Sequence, residues 1–61
     1  MNTYFIPDIH SYTGYKEVEY KNTAPDFYCF DCGFACKTKE EAVRLCKAIE
    51  EFCRRRKHEN N

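Results

Sequence analysis

The sequence predicts an α+β miniprotein, a small antiparallel β-meander of three or four strands with one C-terminal amphipathic helix packed on it. Three observations carry that expectation. The last third of the chain has a helix-start signal followed by an unbroken apolar stripe. The first part is β-prone and punctuated by turn clusters. At 61 residues, the chain forms one domain, 1–61, that is marginal alone, because a domain this small buries only about 60% of its unfolded surface.

The elements follow in order. Thr3-Tyr4-Phe5-Ile6 is short and β-prone, and Pro7 ends it or places it at a sheet edge. Ile9 to Gly14 reads as a loop or as the end of a strand. From Tyr15 to Lys21 the pattern alternates, with Val18 and Tyr20 on one face and Glu17 and Glu19 on the other. Asn22-Thr-Ala-Pro-Asp26 is a turn cluster. Phe27-Tyr28-Cys29-Phe30 is predicted as a strand; Asp31-Cys32-Gly33 turns the chain, or Gly33 marks a bulge in one longer strand. Phe34-Ala35-Cys36 then leads into the helix as a further strand.

Thr38-Lys-Glu-Glu41 is a capping box, in which hydroxyl and carboxylate each reach the other residue's amide. Glu40 and Glu41 sit at the positive end of the helix dipole, and Arg54 to Lys57 sit at the negative end. Ala42, Leu45, Cys46, Ile49, Phe52 and Cys53 recur at helical spacing on one stripe. The expected helix runs from about Lys39 to Lys57, with a frayed tail over 58–61.

Ten basic residues balance ten acidic ones, so no overall charge draws the chain to nucleic acid or a membrane. No apolar run is long enough to span a bilayer. Met1 to Asp8 lacks a basic segment followed by a long apolar one, so the expectation is a cytoplasmic protein with no secretory signal.

The five cysteines pose a choice. An odd count in a reducing compartment fits a disulfide framework poorly. Cys29-x-x-Cys32 has zinc-knuckle spacing, and Cys46 falls where a helical ligand belongs. The fourth ligand is the difficulty. Cys53 stands roughly 10 Å further along the helix axis than Cys46, too far for both sulfurs to lie about 2.3 Å from one ion. The zinc alternative therefore uses Cys29, Cys32, Cys46 and Cys36, in a module contacting protein or nucleic acid. The favoured expectation is no cofactor, with most of the thiols packed as small hydrophobes. A redox role is disfavoured because Cys29-x-x-Cys32 precedes the predicted helix start by several residues. His10 and His58, the two imidazoles, are expected to be solvated.

Ten aromatic residues, five Tyr and five Phe, exceed what one helix over a small sheet hides. The surplus predicts a contact surface, and the candidate binding-surface residues are Tyr4, Tyr12, Tyr15, Tyr20, Arg54 and Arg55. Glu50 and Glu51 stand one turn earlier, placed to pair with those arginines. This acidic flank disfavours nucleic-acid binding.

The stretch from Gly33 through Lys37-Thr-Lys-Glu-Glu-Ala42 to Phe52 resembles the end of many small phage and prophage proteins. Among these are short inhibitors of bacterial antiviral systems such as the Hachiman anti-defence family. The resemblance covers about a third of the chain and carries no functional residue. It implies a compact homodimer, phage-encoded, acting in the host bacterial cytoplasm without catalysis by occluding a host defence protein.

Overall fold

The computed structural model describes residues 2–59. Their order is strand β1 (Thr3–Pro7), strand β2 (Tyr15–Glu19), helix α1 (Ala24–Asp31) and helix α2 (Lys39–Glu59). The α+β class is as predicted. The meander of three or four strands is not: among the described residues there are two strands and one isolated bridge, Phe5 to Cys36.

β1 and β2 pair antiparallel, Tyr4 opposite Val18, Phe5 opposite Glu17 and Pro7 opposite Tyr15. Cys36 extends this ladder by one rung on the far side of β1. Its amide donates to the Phe5 carbonyl at 2.7 Å, and the Phe5 amide donates to its carbonyl at 2.9 Å. A two-stranded sheet is marginal without a covering element, and α2 supplies the cover.

The 8–14 connection is tightly turned. The Ser11 amide donates to the Asp8 carbonyl at 3.2 Å, and the Asp8 amide to the Gly14 carbonyl at 3.1 Å. Gly14 takes φ +85°, a left-handed value that glycine adopts without strain.

The main correction falls on 24–31. Phe27 to Phe30, expected as a strand, form α1. Thr23 is the N-cap and Pro25 lies in the first turn, where a proline is tolerated. The Thr23 amide and hydroxyl both donate to Asp26 Oδ2 at 3.1 Å. The turn cluster is thus a helix start. α1 ends in a Schellman arrangement: the Phe34 amide donates to the Cys29 carbonyl at 2.9 Å and the Gly33 amide to the Phe30 carbonyl at 3.3 Å. Gly33 supplies the left-handed residue, φ +82°, so it turns the chain and marks no bulge.

α2 begins as predicted, with the Glu41 amide donating to the Thr38 hydroxyl at 3.1 Å. It runs to Glu59, past the expected end at Lys57 and into the predicted frayed tail; residues 60 and 61 of that tail lie outside the described residues. Its first half lies on the sheet with Ala42 and Cys46 buried and Val43, Leu45 and Ile49 half-buried. Every residue from Glu50 to Glu59 is exposed. The helix therefore projects past the sheet, which accounts for a longest dimension of 45 Å against a shortest of 16 Å.

The core is thin. Tyr4, Cys36, Ala42 and Cys46 are its buried apolar members, and Asp26 is a buried carboxylate beside them. Two of the five thiols are core, Cys36 and Cys46; Cys29 is half-buried, and Cys32 and Cys53 are exposed. The expectation that most cysteines fill the interior is corrected to those two. The sheet covers only the first half of α2, so Cys53 has nothing to pack beneath.

Candidate functional site

Asp26 is the chemical centre of the fold. Its Oδ1 accepts from the Tyr4 hydroxyl at 2.6 Å. Its Oδ2 accepts from the Lys21 amide at 2.9 Å and from both Thr23 donors. The Tyr4 hydrogen bond is the largest influence on this carboxyl, followed by the Lys21 amide; burial opposes them and Thr23 adds to them. Together they lower it from the ordinary 3.8 to about 2. Tyr4 is shifted the other way, well above the ordinary phenol, by the bond to Asp26 first and by burial second. Burial, and then the Glu41 charge, push the Cys36 thiol up. Each of these groups is held in its resting charge state. A carboxylate this acidic is a weak general base near neutrality, and its role is to join β1, the 20–23 turn and α1.

This arrangement relocates the predicted surface residues. Tyr4 is only 5% exposed and belongs to the core. Its hydroxyl is turned inward by a partner from another element, which the strand pattern alone does not disclose. Tyr20 is half-buried, edge-on to Phe30 with ring centroids 6.0 Å apart. Tyr15 is half-buried against Phe5 at 5.9 Å. Tyr12 is fully exposed on the 8–14 connection. Arg54 and Arg55 are exposed, far from the tyrosines in sequence, and both pair with Glu51, Arg55 Nε at 3.4 Å. Exposed pairs of this kind contribute little to stability. His10 and His58 are exposed.

The zinc alternative loses its ligand set. Cys29 lies within α1 and Cys32 at its C-cap, Cys36 lies beside β1, and Cys46 is a buried residue of α2. Among the described residues, no group of three or more His, Cys, Asp or Glu side chains is placed to hold a metal ion. The helical course of 24–31 separates the CxxC pair from the rest, because it leaves Cys32 exposed while Cys36 and Cys46 are buried.

One uncovered apolar feature is aromatic and centres on α1. Asp26 and Cys29 face inward on this helix, and Phe30 sets one side of its ring 5.2 Å from that of Tyr4 while staying 55% exposed. The outer side carries Phe27 and Tyr28, the latter 68% exposed, and Phe34 follows just beyond the helix end. Large exposed rings on a helix tied to β1 through a buried carboxylate form a candidate contact surface. Phe27, Tyr28 and Phe34 are the residues that the sequence reading missed as site members. The signal for them is Thr23-x-x-Asp26 with proline in the first turn, which starts a helix and splits the ring-bearing positions between its two sides.

A second uncovered region follows α2 outward. Phe52 is 62% exposed, and Ile9, Ile49 and Cys53 line a groove of about 480 Å³ flanked by Glu50, Arg54 and Lys57.

Comparison with protein-family models, curated proteins and solved structures finds no match to this chain. No helix among the described residues is long and apolar enough to cross a membrane.

Proposed function

We propose that this chain is a non-catalytic binding protein that acts in the host bacterial cytoplasm by covering part of a host antiviral-defence protein. The observation that carries the binding role is the set of uncovered rings, Phe27, Tyr28 and Phe34, on a helix anchored from behind. Exposed aromatic side chains supply large contact area, as in the anchoring residues of protein interfaces. The charge states of Asp26, Tyr4 and Cys36 support a structural use of these groups over acid–base or thiolate chemistry. The class of target rests on the resemblance of Gly33 to Phe52 to short phage-encoded inhibitors.

The projecting half of α2 favours a homodimer. Two such helices laid antiparallel set Glu50 and Glu51 of one near the Arg54 to Lys57 run of the other, with Ile49, Phe52 and Cys53 between them. Light scattering of the purified chain, compared with Phe52→Glu, tests this: the parent is a dimer and the variant a monomer. A monomeric parent removes the pairing.

The inhibitory role is tested by plaque assay in bacteria carrying a defence system. Expression of the chain restores phage growth, and Phe27→Ala with Tyr28→Ala abolishes the restoration while the circular dichroism stays that of the parent. The reading fails if no defence system is relieved, or if the folded double variant relieves it as well as the parent does.

A further inference from the structure

The outer edge of β2 is open. Phe5 spends both its amide and its carbonyl on Cys36, so Phe5 and Glu17 form a non-hydrogen-bonded pair of the β1–β2 ladder. Pairs alternate in an antiparallel ladder. Thr3 with Glu19 and Pro7 with Tyr15 are therefore non-hydrogen-bonded pairs too. Pro7, which has no amide hydrogen, loses nothing there. The donation of the Tyr20 amide to the Asn2 carbonyl at 2.8 Å keeps the same phase. It follows that the amides and carbonyls of Glu17 and Glu19 point away from β1. The Tyr15 carbonyl, which shares their direction, accepts from the Thr13 hydroxyl at 3.2 Å, whereas Glu17 and Glu19 have no backbone partner among the described residues.

A groove of about 310 Å³ runs beside this edge, lined by Lys16 to Glu19 of β2 and by Lys21, Thr23, Pro25 and Asp26. An open strand edge with a groove alongside accepts an added strand. The charges decide which strand. In antiparallel self-pairing, the register centred on Glu17 sets that residue against its own copy. The register centred on Val18 sets Glu17 against Glu19. Like charges directly opposite are destabilising, so both of these registers disfavour a second copy at this edge. A strand with basic residues opposite Glu17 and Glu19 and an apolar residue between them matches both faces, because the middle residue falls beside Val18 and Pro25.

We propose that the β2 edge binds an extended basic–apolar–basic segment of a partner protein by strand addition. This surface is separate from the outer side of α1, and its test does not depend on the inhibitory role.

The test titrates the isotope-labelled full chain with a short synthetic peptide alternating Lys and Val. One control peptide has the same composition with its lysines clustered, and another has Glu in place of Lys. The expected result is that amide shifts concentrate on Lys16 to Glu19 and exchange slows at the Glu17 and Glu19 amides. The Glu17→Lys, Glu19→Lys variant, its fold checked by amide dispersion, binds the Lys–Val peptide about tenfold more weakly and takes up the Glu–Val peptide instead. Equal binding of the clustered peptide, unaltered exchange at Glu17 and Glu19, shifts centred on a helix, or no binding at millimolar peptide each overturn the proposal.

Discussion

Removing one oxygen atom, in Tyr4→Phe, tests whether the buried carboxylate organises this fold. The ring stays, so packing against Phe30 is kept, and the change is confined to a 2.6 Å hydrogen bond onto Asp26 Oδ1. Hydrogen bonds to charged groups contribute about 1.5–3 kcal/mol. The core is thin, so the lower end, about 1.5 kcal/mol, is the expectation. A domain of this length has on the order of 3–9 kcal/mol of stability in all, and the loss lowers the melting temperature by about 6–12 °C. The pH profile separates this bond from generic damage. Asp26 titrates below its ordinary value, 3.8 against about 2, so its stabilisation is complete above pH 3.8 and is lost as the pH falls toward 2. Tyr4 titrates above its ordinary 10.0, so its stabilisation is present below pH 10 and is lost as the pH rises beyond it. Thermal melts from pH 2 to 11 therefore show a plateau with two shoulders in the parent, and Tyr4→Phe lessens both, the acid one only in part because the Lys21 and Thr23 donors remain. A variant with the parent's melting temperature and the parent's acid shoulder refutes the reasoning.

Three further outcomes follow, each read by thermal melting. Gly33→Ala forces a side chain into a left-handed residue with open space around it, so the cost is backbone strain alone, about 1–2 kcal/mol, with no repacking. Ala42→Leu overfills a position that is 0% exposed under α2 and costs about 1–3 kcal/mol; an unchanged melt means that α2 is not seated on the sheet as described. Cys46→Ser places a hydroxyl in the buried core and costs about 1–3 kcal/mol, while Cys32→Ser and Cys53→Ser, at exposed sites, stay within about 0.5 kcal/mol of the parent. A zinc module reverses that order for Cys32 and unfolds on addition of chelator.

α2 was legible because every local signal agreed. Thr38 caps it, charge follows the dipole, no glycine or proline interrupts, and Ala42, Leu45, Cys46 and Ile49 fall on the covered side. α1 was not, because its signals conflict. Phenylalanine, tyrosine and cysteine are weak helix formers with strand preference, and eight residues are too few for periodicity to separate helix from strand. The deciding contacts are not local. Asp26 meets Tyr4 across 22 positions, and that bond also removes Tyr4 from the surface where its place in a short strand had put it. Thr23-x-x-Asp26 repeats the logic of Thr38-x-x-Glu41, but the proline and the flanking asparagine read more strongly as a turn. Tyr12 is exposed, as a tyrosine in a polar loop with no apolar neighbour in register is expected to be.

Small size links the polar hub to the uncovered rings. A chain of 61 residues has too little interior to bury ten aromatic side chains, so covering them all is not available as a route to stability. Asp26 offers another route. By accepting from Tyr4, Lys21 and Thr23, one carboxylate ties together three segments that apolar contact alone would hold weakly. α1 is thereby tied to β1, with Phe30 touching the Tyr4 and Tyr20 rings, and Phe27, Tyr28, Phe34 and much of Phe30 stay outside. Replacing Asp26 with a packed apolar residue is then expected to draw those rings inward and to weaken partner binding even where the fold survives, because what anchors α1 determines which of its rings remain outside.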